Sequence, residues 1–451
     1  MPSRNQRALR IPATVLLLTI AVAAGSQVAG GRTADPEIVE SAGTPLDVVP
    51  SARGDLARIR ENVAFWSDRS RANPRDFVSN TRWAAAEIDI ARATGDVTRY
   101  LAARDALDAA LGVNPDYRPA LGYRAAVLIA LHEFRAAADE ARHLLEVDRA
   151  DPAALATLGD AALALGDMDT ARGAYQELSL IDQSAAALAR ESHLAFVDGN
   201  PGEAVELSRA AVDAAVDEGL EGSARSWYRY QLGDTLASTG DLPGAGEAYA
   251  SALRDDPSSP LAHWGLARIA ASGEDWDAAL EHLDAAIAIV PSPEYVARRA
   301  DIYRLRGTTG DARRERDDRR TVLAIGDLAG EAAGIYDRTL SLYLSSHDEE
   351  PERALRLAED ELVARKDVYG YDALAWALLA NGRADEAREQ MAEALALGTR
   401  DAKLLYHAGM IEARLGNDVA ARAYLEDALG IDPSFDPLAV RTARTTLQEL
   451  R

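Results

Sequence analysis

The stretch SWYRYQLGDTLASTGDLPGAGEAYASALRDDPSS, residues 226–259, decides the fold. It carries two apolar stripes with helical spacing, separated by Gly240-Asp241 and ended by Asp256-Pro257. A glycine at the turn permits a left-handed backbone, and a proline after the second stripe cannot continue a helix. The stretch therefore predicts two helices joined by a tight turn.

This pattern recurs with a period of about 34 residues, the signature of a repeat architecture. Residues 152–183 and 402–434 have small residues, a turn glycine and a second apolar stripe at matching offsets. The matching residues are Gly159, Gly166, Ala171 and Tyr175 in the first stretch, and Gly409, Gly416, Ala421 and Leu425 in the second. Small residues are needed where two helices cross closely, so the chain is expected to stack helix pairs.

These residues resemble the tetratricopeptide repeat, and further copies fit residues 118–151, 185–218, 260–293 and 368–400. The resemblance covers most of the chain beyond about residue 75 and implies an all-α, right-handed α-solenoid of about nine or ten helix pairs. The tail, residues 435–451, carries one more apolar stripe and is expected to form a C-terminal capping helix. No single pair buries its own apolar face, so neighbouring pairs stabilise each other.

Composition restricts the partners. Acidic residues outnumber basic ones enough to give a net charge of −24, which disfavours nucleic acid and anionic membrane surfaces. The chain has no Cys, so disulfides and thiolate metal sites are excluded. Protein or peptide is the expected partner class, and no small-molecule substrate is implied.

The N-terminus has the layout of an export signal. Arg4, Arg7 and Arg10 precede an apolar stretch over residues 11–24, with Ala21-Val22-Ala23 as a small-x-small cleavage site. Residues 1–24 are therefore predicted to be a signal peptide or, if retained, an N-terminal anchor. The protein is expected outside the cytoplasmic membrane, either secreted, periplasmic or at the cell surface.

The rest of the chain divides into a linker and two arrays. Residues 25–54 are rich in Gly, Pro, Ser and Thr and read as a flexible linker. Residues 55–326 are predicted to form an N-terminal array, and residues 327–451 a C-terminal array with the capping helix. The run DARRERDDRR, residues 311–320, puts Arg where the second helix of a pair should be apolar. It predicts a solvated helix and hinge, or else a patch that binds acids.

The sequence offers no enzyme motif. Gly244-Ala245-Gly246 lies inside a predicted helix and lacks the Lys of a phosphate loop, and His132-Glu133 lacks the second His of a zinc helix. The seven His are scattered over separate repeats with no pair at i, i+4 spacing. We expect no catalytic residues, no cofactor and no metal.

The resemblance also implies a binding surface, because in this family the first helix of each pair lines the concave face. The residues that it places there are rich in Trp, Tyr and Arg, which dominate interface hot spots. They are Trp227, Tyr230, Asp234, Trp264, Arg268, Tyr343, Trp376, Tyr406, Met410 and Arg414, with His193 and Phe196 extending the line. The alternative is that these aromatic residues pack between helices.

The leading hypothesis is an exported, non-enzymatic scaffold that binds a polypeptide segment in this groove. The basic residues Arg268 and Arg414 are too far apart in sequence for the clamp with which some family members hold a terminal carboxylate. The alternatives are an organiser of a cell-envelope, secretion or polysaccharide-export assembly and, more remotely, an α-helical carbohydrate-active enzyme. The stretches YDALAWAL (residues 371–378) and YHAGMI (residues 406–411), on inner helices, are the first places to test binding.

Overall fold

The computed structural model describes residues 53–94, 96–328 and 334–450. Within them the chain forms 22 helices and no strand. The first eleven are α1 (Arg53–Ala72), α2 (Phe77–Thr94), α3 (Thr98–Val113), α4 (Arg118–Ala130), α5 (Phe134–Val147), α6 (Pro152–Leu165), α7 (Met168–Ile181), α8 (Ala185–Val197), α9 (Pro201–Asp217), α10 (Gly222–Ser238) and α11 (Leu242–Asp255). The others are α12 (Pro260–Ser272), α13 (Trp276–Ile289), α14 (Pro293–Arg306), α15 (Asp311–Leu328), α16 (Asp337–Ser346), α17 (Pro351–Ala364), α18 (Val368–Ala380), α19 (Ala384–Ala394), α20 (Ala402–Arg414), α21 (Asp418–Ile431) and α22 (Pro437–Glu449).

Helices α2 to α21 form ten consecutive pairs, numbered here from pair 1 (α2 and α3) to pair 10 (α20 and α21). The two helices of each pair pack together, and the first helices of neighbouring pairs also contact each other, as α10 does α12 and α18 does α20. The first helices are therefore the inner layer of the curved stack, and the second helices are the outer layer. The all-α solenoid predicted from the repeats is confirmed.

Local chemistry sets the helix ends where the repeat pattern predicts them. Asp151 accepts hydrogen bonds from the backbone N–H groups of the first turn of α6, and Pro152 follows it at the first helical position. Gly166 ends the same helix in the left-handed conformation, with φ 76°. An acceptor before the helix and a left-handed glycine after it satisfy backbone groups that a helix leaves unpaired.

Tyrosine rings fill the space that the small inner residues leave. The fully buried Tyr249 ring lies between Gly233 in its own pair and Gly265 in the next. A Cβ built on either glycine would lie 2.5 Å from a ring carbon. Tyr175 lies against Gly159 in the same way. One ring thus joins two pairs, which explains why the repeats depend on their neighbours.

The predicted capping helix is present as α22, which covers the last pair with its apolar face. Val440 and Ala443 are buried, and Ala443 belongs to the same core cluster as Leu425 and Ala428 of α21. Asp436 accepts hydrogen bonds from the backbone N–H groups of Leu438 and Ala439 and so begins the helix.

The charged run at residues 311–320 lies within helix α15. Arg316 and Arg320 are exposed, whereas Arg319 forms an ion pair with Glu349 of the following segment. Asp318 is buried and accepts two hydrogen bonds from Arg299. The predicted solvated helix thus has one buried, charge-paired side. The division into arrays at residues 326 and 327 stays a prediction.

The stack curves so far that its early turns reach its late loops. Thr399, between pairs 9 and 10, donates a hydrogen bond to the Val197 carbonyl in pair 4, 202 residues earlier. Arg135 in pair 2 donates to the Val363 carbonyl at the end of pair 8. We call this line of contact between pairs 2–5 and the loops that follow pairs 8–10 the seam. Repeat spacing alone did not predict it.

The predicted leader and almost all of the predicted linker lie outside the described residues. Helix α1 begins at Arg53, two residues before the predicted first stripe. None of the described helices is long and apolar enough to cross a membrane.

Candidate partner-binding surface

The aromatic residues predicted for the groove lie mainly inside the stack. Tyr230, Trp264, Tyr343, Trp376 and Tyr406 keep 9% or less of their surface accessible to solvent. Each packs against aromatic or His rings of its own helix or of a segment packed beside it, with ring centroids 4.0 to 5.7 Å apart. In this conformation these side chains lie beneath the inner surface and support it by packing.

Trp376 shows how such a residue is held. Its indole N–H donates to the Ser346 hydroxyl of the preceding pair at 3.0 Å. Its ring stacks on His407 of the following pair, with centroids 4.0 Å apart, and His407 contacts Asp372 at 2.7 Å through Nδ1. A single indole therefore links three consecutive inner helices.

The remaining predicted residues differ in exposure. Asp234 and Arg268 form an ion pair of 2.5 Å between α10 and α12, and both reach solvent. Trp227 is half-buried against Tyr228, Met410 is half-buried beside Thr446, and Arg414 is exposed. The structure brings Asp234 and Arg268 into contact, and it likewise brings Trp376 and Tyr406 into contact. The groove assignment stays a prediction for the whole set.

The inner helices also carry polar side chains that the aromatic pattern did not single out. Glu294 on α14, Tyr369 on α18 and Lys403 on α20 are half-buried, and His193 on α8 reaches solvent. Within the described residues their side chains form no hydrogen bond or ion pair, although their neighbours Asp234, Arg298 and Asp401 do. We call these four residues the inner polar set. Only His193 was predicted for this line.

The charges of this surface act on one another across the curve of the stack. Burial raises the pKa of the Glu294 carboxyl, and the positive charges of Lys403, Arg298 and Arg268 oppose that rise. Burial also raises the pKa of Tyr369, helped by Asp401, Asp367 and Asp234. Residues of pairs 5, 6, 7, 9 and 10 therefore share one concave region.

His193 reaches solvent, yet burial lowers its pKa. A group inside a concave surface behaves this way, because water reaches it while protein surrounds it on most sides. Its imidazole is therefore neutral near pH 7, able to donate one hydrogen bond and accept another.

Arg298 and Asp436 close one end of this region with an ion pair of 2.8 Å between α14 and the start of α22. Burial works to raise the pKa of Asp436, but the Arg298 guanidinium and the backbone N–H of Ala439 lower it to about 2. The carboxylate is therefore charged at neutral pH, and the capping helix is tied to pair 7 as well as to pair 10.

Two His residues on the two helices of pair 6 come together, 19 positions apart in the sequence. Nδ1 of His263 on α12 lies 3.1 Å from Nδ1 of His282 on α13, with ring centroids 5.4 Å apart. The rings point at each other along one line, the arrangement of an N–H···N hydrogen bond. In the described part of the chain no three or more His, Cys, Asp or Glu side chains gather as metal ligands.

Comparison with known proteins adds a family. Residues 230–294 and 373–434 match the family model described as tetratricopeptide repeat. None of the curated proteins matches the chain. Among solved structures, the human IFIT1 dimer with PPP-AAAA is 12% identical, with 85% of this chain and 95% of that one covered and a TM-score of 0.44. Yeast Tom70 is 12% identical over 88% and 93%, with a TM-score of 0.31. YrrB, described as a TPR protein with an unusual peptide-binding site, is 21% identical over 42% and 94%, with a TM-score of 0.28.

Proposed function

Since this chain belongs to the tetratricopeptide repeat proteins, whose fold suggests a protein–protein interaction scaffold, we propose that it binds a polypeptide segment along its inner helices without catalysing a reaction. The observation that carries the proposal is the inner polar set: Glu294, Tyr369, Lys403 and His193 have solvent access and no partner within the described residues. A polar group left unpaired in a concave surface is available to a ligand, because pairing it there regains a hydrogen bond.

The chemistry of this set suits a polypeptide. It offers one carboxyl, one amine, one phenol and one imidazole, so it presents donors and acceptors without a cluster of one charge sign. Such a surface matches an extended backbone with mixed side chains better than it matches phosphate, which calls for several cations. Asp234, Arg268, Arg298 and Asp436 are already committed to ion pairs and frame the surface.

The test compares two variants as baits. In the inner variant, Glu294→Gln, Tyr369→Phe and Lys403→Met remove polar contacts while keeping side-chain volume. In the outer variant, Glu352→Gln, Arg356→Met and Glu359→Gln change exposed residues of α17. Truncating the buried aromatics would confuse binding with unfolding, so these conservative changes are preferable.

A partner of the inner surface is captured from the native cell envelope by the wild type and the outer variant and is lost from the inner variant. Purified partner must then rebind with the same ranking. If all three baits capture the same proteins to the same extent, the inner surface is not the binding site.

We also propose that the protein is exported. The support is Arg4, Arg7 and Arg10 ahead of the apolar residues 11–24. Cell fractionation with mass spectrometry of the N-terminus tests this: a chain in the envelope or medium that begins near residue 24 is expected. A chain that retains Met1 and stays in the cytosol contradicts it.

A further inference from the structure

The seam is built around three turn glycines. Gly166, Gly199 and Gly240, in the turns of pairs 3, 4 and 5, all have positive φ, at 76°, 77° and 87°. Each faces a backbone carbonyl from the late loops: Lys366, Gly398 and Ile431 respectively. A Cβ on Gly166 or on Gly199 would lie 2.6 Å from the facing oxygen. The early pairs and the late loops thus approach each other as closely as their backbones allow.

Side chains also contribute contacts to the seam. Ala162, Leu163 and Val197 of the early pairs share a core cluster with Val368 of pair 9. Arg365 lies over the Phe134 ring at 5.9 Å and approaches His132 Nε2 at 3.4 Å. Among the described helices, none of the early pairs packs broadly along a helix of the late pairs. Turns, loops and residues near helix ends therefore make this contact.

The seam also contains a cluster of ion pairs in which Arg338 and Arg365 contact Glu361 and Asp367, and some polar atoms in and beside it have no partner. His132 Nδ1 and Arg338 Nε are buried without a hydrogen-bond partner in the described structure. His132 also has a left-handed backbone, with φ 60°. A side-chain-bearing residue in that region is strained, and buried unpaired polar atoms gain hydrogen bonds when water reaches them. The unpaired atoms therefore lower the cost of opening the seam, whereas the strain at His132 belongs to its own turn.

We propose that the seam is a gate, whose opening widens the access that reagents and partners have to the inner surface. The proposal rests on the proposed function for its biological purpose, but the movement itself can be measured without a partner. The chain contains two lysines: Lys403 belongs to the inner polar set, and Lys366 is exposed. The rate at which a small amine-acylating reagent modifies Lys403 in the full chain therefore reports access to the inner surface.

The first variant, Gly199→Ala, places a methyl group inside the seam. Its methyl group meets the Gly398 carbonyl and weakens the closed seam, so acylation of Lys403 should accelerate about threefold or more. Gly416→Ala is the matched control, because Gly416 also has φ 77° but would place its Cβ in open space. The control carries the same backbone strain without a steric contact across the seam, and it should leave the rate of Lys403 acylation unchanged.

A disulfide across the seam should hold it closed. A Cβ at Gly166 would lie 3.5 Å from Lys366 Cβ, within the range of about 3.5–4.5 Å that disulfides show. The same Cβ would lie 2.6 Å from the Lys366 carbonyl oxygen, but this contact is present in both the oxidised and the reduced variant and cancels in their comparison. The chain has no Cys, so Gly166→Cys with Lys366→Cys forms one defined bond. Oxidation should slow Lys403 acylation by about threefold or more relative to the same variant reduced, as expected when the open state is removed.

Equal rates in the locked and reduced forms would overturn the gate, because the inner surface would then be reached with the seam shut. Equal effects of Gly199→Ala and Gly416→Ala would overturn it too. Neither result depends on a partner, so a failure of the gate and a failure of partner binding are distinguishable.

Discussion

Asp234 on α10 and Arg268 on α12 join the inner helices of pairs 5 and 6 through an ion pair of 2.5 Å. The same kind of link recurs at alternate joints, where an Asp on one inner helix contacts a basic side chain on the next. The other three links are Asp160 with Arg190, Asp301 with His347, and Asp372 with His407. They join pairs 3 and 4, 7 and 8, and 9 and 10. Polar links of this kind between inner helices therefore recur along the stack with a spacing of two pairs.

The link between Asp160 and Arg190 is the most buried of those involving Arg, with 4% and 6% of the side chains accessible. Asp160 also accepts a hydrogen bond of 2.6 Å from the Tyr175 hydroxyl. Asp160→Ala should lower the free energy of unfolding by about 3–5 kcal/mol, because it leaves a buried guanidinium unpaired. Urea titration measures this loss.

The double variant Asp160→Leu with Arg190→Met is the control for that result. It removes both charges and should recover most of the lost stability, because replacing a buried ion pair by apolar residues is often neutral. A double variant as unstable as Asp160→Ala would show that the site depends on shape and not on charge pairing.

Gly233 and Gly265 should tolerate no side chain, because the Tyr249 ring lies against both. Gly233→Ala is expected to destabilise the protein by about 1–3 kcal/mol through overpacking. Gly122→Ala in α4, where a Cβ would meet no atom within 4 Å, should instead stabilise by about 0.5–1 kcal/mol, the ordinary gain of alanine in a helix. Thermal unfolding of the two variants should therefore shift in opposite directions. Shifts in the same direction would contradict the close packing of Tyr249.

His347 makes the joint between pairs 7 and 8 sensitive to pH. Burial alone would lower its pKa, but its contact of 2.7 Å with the Asp301 carboxylate helps to raise the pKa above the ordinary value of about 6.5. A raised folded-state pKa gives stability that is fully present below the unfolded pKa and is lost as pH rises through the folded pKa.

The difference in Tm between the wild type and His347→Gln should therefore be larger at pH 5.5 than at pH 9. Taking the difference cancels groups that titrate equally in both proteins. A difference that stays constant, or that grows toward alkaline pH, would mean that the ion pair with Asp301 does not form in solution.

The sequence predicts the repeat architecture well because repeat chemistry is local. Gly233, Ala245 and Tyr249 fix one pair and its contact with the next, and Pro or Asp at the ends marks the boundaries. The seam could not be predicted in this way. It depends on the sum of small rotations between pairs, which bring Gly199 against Gly398 without any local signal in either stretch.

The binding surface was predicted only in part, for a different reason. Aromatics at inner positions stand out in a chain with 6% aromatic residues, so Trp264 and Trp376 attract notice. Glu294 and Lys403 do not stand out among 27% charged residues, although both reach solvent on the inner helices. Only the structure separates charges that already have partners from those that do not.

The most direct test of partner binding is protection of Lys403. The full chain is acylated with and without saturating purified partner, and modification of Lys403 and of Lys366 is quantified by mass spectrometry. Binding at the inner surface predicts that the partner slows modification of Lys403 by about tenfold while Lys366, outside that surface, reacts as before. Unchanged modification of Lys403 in the saturated complex would contradict the account.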